Sequence, residues 1–197
     1  MRLYSYVVAR DFGFAPNPFF GVCTLATCKP DIRKGANVDD WVIGTGSQRR
    51  GRGNRIVFGM RITEYMTFTG YWSDPRFKGK KPYLAGSKKL AYGDNIYFKA
   101  NGRWRQENSH HSLSTGKPNS ANVIHDTRVD RVLISSDFIY WGGDGPAIPP
   151  SLRRVRKRGP GHRSDFDEAF IAKIISWLRS FPEGGYIGAP LDWSLTS

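Results

Sequence analysis

Cysteine is almost missing from this chain: Cys23 and Cys28 are the only two among 197 residues. Two thiols cannot staple a small disulfide scaffold, so a reduced, cytoplasmic protein is expected. Together with His110 and His111 they would supply four zinc donors, but their spacing matches none of the usual ligand pairs, and no metal is expected. The His-x-Glu and later Pro-Cys-x-x-Cys of zinc deaminases do not occur either. The chain lacks long apolar runs: the start, MRLYSYVVARDFGF, has no leader-like core, and no segment reaches membrane-spanning length. There is no internal repeat. Phosphate-gripping P-loop, nucleophile elbow and dinucleotide fingerprint are all absent, and no cofactor is expected.

Acidic residues are scarce as well, 17 Asp and Glu against 30 Lys and Arg, which leaves a net charge of +13. A field of that sign attracts polyanions, and nucleic acid, DNA in the first place, is the expected partner. The cations are clustered. Arg49, Arg50, Arg52 and Arg55 share one Gly-rich loop. Lys78, Lys80, Lys81, Lys88 and Lys89 fill a second stretch, and Arg153, Arg154, Arg156, Lys157, Arg158 and Arg163 a third. Guanidinium and ammonium groups on such loops can follow a phosphate backbone without reading sequence.

What is abundant is short β-type pattern and turn residues, with 22 Gly and 12 Pro. LYSYVVA at 3–9 reads as a first strand, and 22–27 as a second. Ile56, Phe58, Met60 and Ile62 alternate with Val57, Gly59, Arg61 and Thr63, the period-two signature of a half-buried strand. With Trp41 to Thr45 this makes a hairpin whose tip is SQRRGRGN. DNIYFK and Gly102–Arg105 form another around Asn101-Gly102. RVLIS and FIYW follow, while 69–89 is turn-rich without periodicity. One helix is expected over 165–181, capped by Ser164, with Phe166, Phe170, Ile174, Trp177, Leu178 and Phe181 on one face. The fold class that follows is α+β: a compact bent β-sheet or small β-barrel with a packed C-terminal helix, one domain over 1–197, and a basic surface linker at 151–163.

The most polar stretch is RWRQENSHHS, 103–112, which holds two of the four histidines. Its amides, hydroxyls and imidazoles suit the edge of a heterocyclic base. The first functional reading is therefore a reader of a flipped or modified base. Asn17, Thr45, Ser47, Asn95, Gln106, Ser109 and His111 line its cleft, Trp72 or Tyr97 stacks on the base, and the arginine loops with Lys80 and Lys81 grip phosphates. The second is an enzyme, a transferase or hydrolase, in which His110 or His111 is the acid/base and Glu107 or Asp94 orients it.

Several phrases together, MRLYSYVVARDFGFAPNPFFGVCTLATCKPDIR, WVIGTGS, VFGMRITEYMTFTGYWSDPRF, YGDNIY, ENSHHS and RVLISSDFIYWGGDGPAIP, resemble the nucleotide modification associated domain 2 family. That resemblance implies a role beside systems that build or handle modified DNA bases in phages and bacteria, without fixing a reaction. An architectural likeness to EVE and other PUA-like domains implies a small bent barrel with a base-holding cleft.

Overall fold

Trp41–Gly46 and Ile56–Arg61 pair antiparallel as the sequence pattern requires, with a bulge between Gly44 and Thr45. Gly44 is needed there, because a Cβ would stand 2.3 Å from the Phe58 ring. In the computed structural model, which describes residues 1–193, this hairpin is the centre of the main sheet. In chain order the strands are β1 (Leu3–Val8), β2 (Cys23–Leu25), β3 (Trp41–Gly46), β4 (Ile56–Arg61), β5 (Glu64–Met66), β6 (Tyr97–Ala100), β7 (Arg103–Gln106), β8 (Val132–Ser135), β9 (Asp137–Tyr140), β10 (His162–Arg163) and β11 (Gly185–Tyr186). The helices are α1 (Pro30–Gly35), α2 (Phe68–Ser73), α3 (Lys88–Ala91), α4 (Ser120–Thr127) and α5 (Glu168–Arg179). None is long and apolar enough to cross a membrane.

The main sheet has the order β10-β1-β3-β4-β9-β11. Strand β1 lies parallel to β3, with Tyr6 opposite Gly44, and β11 lies parallel to β9. A second sheet, β2-β8-β5, covers one face, and β6-β7 forms a separate hairpin. The fold is thus mixed α/β and layered. The expected closure into a PUA-like or EVE-like barrel does not occur: the two short end strands of the main sheet are not joined. The physical reason is that the chain between β1 and β3 returns through β2 and α1, which starts a covering layer instead of extending the sheet.

Each face of the main sheet has its own apolar layer. Tyr6, Val42, Phe58, Met60 and Tyr140 pack with Cys23, Leu25 and Leu133 of the small sheet. On the opposite face Trp41, Ile43 and Ile139 meet Phe170, Ile171, Ile174 and Leu178 of α5. Burial on both faces explains why WVIG is apolar throughout rather than alternating. A third cluster, with Phe14, Phe68, Tyr71, Phe77, Ile96, Tyr97, Val132 and Ile134, lies where α2 and the β6–β7 hairpin join the small sheet.

Three local expectations change. The terminal helix spans 168–179 and is capped by Asp167, whose carboxylate accepts from the Phe170 N–H at 2.8 Å, not by Ser164. The 151–163 stretch is not a plain linker: Leu152 and Val155 are buried beneath α5, and His162–Arg163 pair with β1. The turn-rich 69–89 region overlaps α2 at its start and α3 at its end, the first capped by the Thr67 hydroxyl. The Asn101-Gly102 hairpin is as expected, both residues at positive φ, 51° and 71°.

Candidate nucleic-acid interface and a histidine cluster

The tip of the β3–β4 hairpin turns through Gln48–Arg50, leaving Arg49 and Arg50 exposed. Arg50 pairs with Asp192 at 2.9 Å, and Arg55 donates to the Gly145 carbonyl at 2.7 Å. The third basic run comes alongside this tip, since the Arg156 Nη2 donates to Gln48 Oε1 at 3.1 Å. There Arg153, Arg156, Lys157, Arg158, His162 and Arg163 line an open basin of about 840 Å³. Its one carboxylate, Asp165, is 2.6 Å from the Arg163 guanidinium, which holds it below the usual carboxylate range. Arg154 pairs with Asp167 outside the basin. Arg153, Arg156, Lys157 and Arg158 take part in no ion pair among the described residues. Two of the three basic runs thus converge on one face.

The second run does not join them. Lys80 is fully buried and donates at 2.8 Å to the Asn17 carbonyl, to Asn17 Oδ1 and to the Val22 carbonyl. Burial pushes its pKa down to about 8, partly offset by the nearby Asp94. Lys80 is an internal cation, not a phosphate contact. Asp94, also fully buried, accepts from Thr24 Oγ1 at 2.7 Å and from the Tyr71 hydroxyl at 2.8 Å, and orients no histidine. Burial raises its pKa against the pull of Lys80. Lys81 sits 3.7 Å over the Trp72 ring, which also stacks on Phe98 at 4.2 Å.

The recess expected to gather the base-reading residues does not form among the described residues. Asn17 and Asn95 are fully buried, their amides donating to the carbonyls of Gly13 and Tyr92, and of Tyr71. Thr45 is buried within β3. Ser47 borders a crevice of about 10 Å³ beside Asp11 and Gly46, room for a single water and no heterocycle. Trp72 is occupied as described. Only Tyr97, Gln106, Ser109 and His111 remain together.

Those four belong to a cluster of another kind. After β7 the chain makes a turn, in which the Ser112 N–H donates to the Ser109 carbonyl at 2.9 Å. The two histidines are therefore not on opposite faces of a strand, and both rings pack on Phe14. His110 is exposed but also lies against Phe12 and Tyr92, and the partial desolvation of its ring lowers its pKa. His111 is held by its backbone: its carbonyl accepts from Asn122 Nδ2 at 2.8 Å and from Gln106 Nε2 at 3.2 Å. Its Nδ1 lies 3.1 Å from Asp126 Oδ2, and its Nε2 lies 3.8 Å from the Cys28 sulfur. Burial alone would lower the His111 pKa, but the hydrogen bonds to Asp126 and Cys28 outweigh it and bring it up to about 9.

Asp126, on α4, is 1% exposed in its side chain and also accepts from the Tyr97 hydroxyl at 2.9 Å and the Cys28 N–H at 2.8 Å. Desolvation would raise its pKa, but the bond to His111 and the other donors hold it low. It fills the role that the sequence assigned to Glu107 or Asp94; Glu107 is exposed. Cys28 and Asp126 are the residues that sequence reasoning missed. No local spacing signals them, because 83 residues separate Cys28 from His111 and 15 separate His111 from Asp126.

No curated protein and no solved structure matches the chain. The model of the nucleotide modification associated domain 2 family does, over residues 1–197, and the chain belongs to that family.

Proposed function

We propose that the protein binds nucleic acid, DNA in the first place, through the phosphate backbone at the face shared by the β3–β4 hairpin tip and the 153–163 segment. In this reading it serves a nucleotide modification system, as the family name indicates. The observation that carries the reading is the basin itself: five Lys or Arg side chains around about 840 Å³ with one carboxylate, already neutralised. The four cations other than Arg163 have no acidic partner among the described residues and create a strong local field, which a polyanion relieves while releasing its own counterions. Contacts of this type set position along the backbone and carry no base information. The base-reading part of the earlier expectation finds little support, since Asn17, Asn95 and Thr45 are consumed inside the fold.

Fluorescence anisotropy with duplex and single-stranded oligonucleotides, at increasing salt, tests the reading. Each phosphate contact contributes roughly −0.9 to the slope of log K against log salt for duplex DNA. The expected slope corresponds to about three or four contacts, and Arg156→Glu with Arg158→Glu removes most of it. Binding that ignores both salt and charge reversal would refute the proposal.

A further inference from the structure

The turn after β2 carries an unusual backbone. Cys28 has φ 58° and Lys29 φ 41°, two consecutive non-glycine residues in the left-handed region, where a side chain crowds the following carbonyl. Such a conformation persists only where the surroundings enforce it, and it concentrates at functional positions. Here the enforcing bonds come from two sides: Asp126 Oδ1 accepts the Cys28 N–H at 2.8 Å, and the fully buried Arg33 donates its Nε to the Cys28 carbonyl at 3.0 Å. The result aims the Cys28 sulfur at His111 Nε2, while the opposite nitrogen of the same ring faces Asp126.

This is a linear array of thiol, imidazole and carboxylate contributed by three separate segments: the β2–α1 turn, the loop after β7, and α4. The ring's two nitrogens face different partners, so the three side chains do not converge on one point, and no metal-holding group is found among the described residues. The carboxylate on Nδ1 fixes the tautomer and leaves Nε2 to exchange a proton with sulfur. Cys28 is partly open to solvent, whereas Cys23 is fully buried.

We propose that Cys28, His111 and Asp126 form a cysteine-nucleophile centre for acyl transfer, taking a small ester or amide as substrate. Cys28 is the nucleophile, His111 the acid/base and Asp126 the positioning residue. In the first step the Cys28 thiolate attacks the carbonyl carbon and an S–C bond forms. Collapse of the tetrahedral adduct breaks the C–O or C–N bond, and the leaving group takes the proton from His111 Nε2. In the second step water attacks the thioester, its proton goes to Nε2, and the S–C bond breaks to release the acid and restore the thiolate. A primary amine in place of water gives an amide with the same balance. The centre is independent of the phosphate-binding proposal, since none of its residues lines the basin.

Iodoacetamide modification across the range from about pH 6 to about pH 9, followed by peptide mass mapping, tests the nucleophile. The other ionisable groups facing the centre are Tyr6, Lys29, Arg33, Tyr97, His110 and His125. The expected result is alkylation of Cys28 alone, at least about tenfold faster near pH 6.5 than a free cysteine and almost flat with pH. His111→Gln returns the rate and profile to those of an ordinary thiol, and Asp126→Asn moves the profile in the same direction. Should either variant fail to fold, the wild-type profile alone decides. A second arm uses p-nitrophenyl acetate: an acetyl group on Cys28 that turns over supports acyl transfer. A fast thiol that is never acylated overturns the acyl assignment, and an ordinary alkylation rate overturns the centre altogether.

Discussion

Lys80 and Arg156 both sit in basic runs bordered by glycine and proline, and composition gives no reason to treat them differently. Lys80 is wholly enclosed, its ammonium spent on two carbonyls and the Asn17 amide oxygen. Arg156 keeps its charge at the rim of an open basin and spends one N–H on an uncharged glutamine. The same contrast runs through their neighbours. Lys81 and Lys89 lie over the rings of Trp72 and Tyr186, whereas Arg153 and Arg158 make no ion pair among the described residues. A charge run is thus not one kind of thing. Its chemistry depends on whether the fold closes over it, and the deciding feature is the 3-10 segment Pro75–Lys80, which buries Phe77 and Lys80 together.

The contrast can be broken most severely at Lys80. Lys80→Met strips the buried Asp94 of its cation and takes the ammonium donor from the Asn17 and Val22 carbonyls and from Asn17 Oδ1, a loss of about 3–5 kcal/mol. A urea midpoint within error of the wild type would show that the internal network does not hold the loop. His111 offers a graded version of the same effect. Its folded pKa is raised, from an ordinary 6.5 to about 9, so its stabilisation is complete below about pH 6.5 and lost as pH rises through about 9. The loss amounts to about 3 kcal/mol. Urea unfolding over that window should show it in the wild type and not in His111→Gln; equal slopes would count against the assignment. At the opposite end, Arg153→Ala with Arg158→Ala should leave the urea midpoint unchanged while weakening oligonucleotide binding about tenfold. A fall in stability there would mean that the basin is structural after all.

Much of the strand content was legible because period-two alternation and turn dipeptides are local signals. The hairpins over 41–61 and 97–106 and the first strand needed nothing beyond them. The parallel pairing of β1 with β3 and the second covering sheet were not legible, because they depend on contacts far apart in sequence. Helix α4 was missed for a different reason. SANVIHDT places Val123 and Ile124 side by side instead of at helical spacing, and Ile124 is exposed. For the site, the clustering of charge pointed to the 153–163 face, and the ENSHHS stretch to His111. Asn17 and Asn95 do not share a cleft with the rest of the base-reading set, because amides that look free in a sequence are what a fold uses to tie its own loops. Cys28 entered the sequence reading only as a rejected zinc donor, because its neighbours Asp126 and His111 lie 98 and 83 residues away along the chain.

The bond from Arg156 to Gln48 has a consequence for how the basic face is assembled. A glutamate at position 48 would clasp the two loops more strongly, yet it would cancel one of the positive charges on that face. The neutral amide fastens the two loops without discharging either, so on the proposed reading a strand of phosphates that reached one loop would meet the other already aligned.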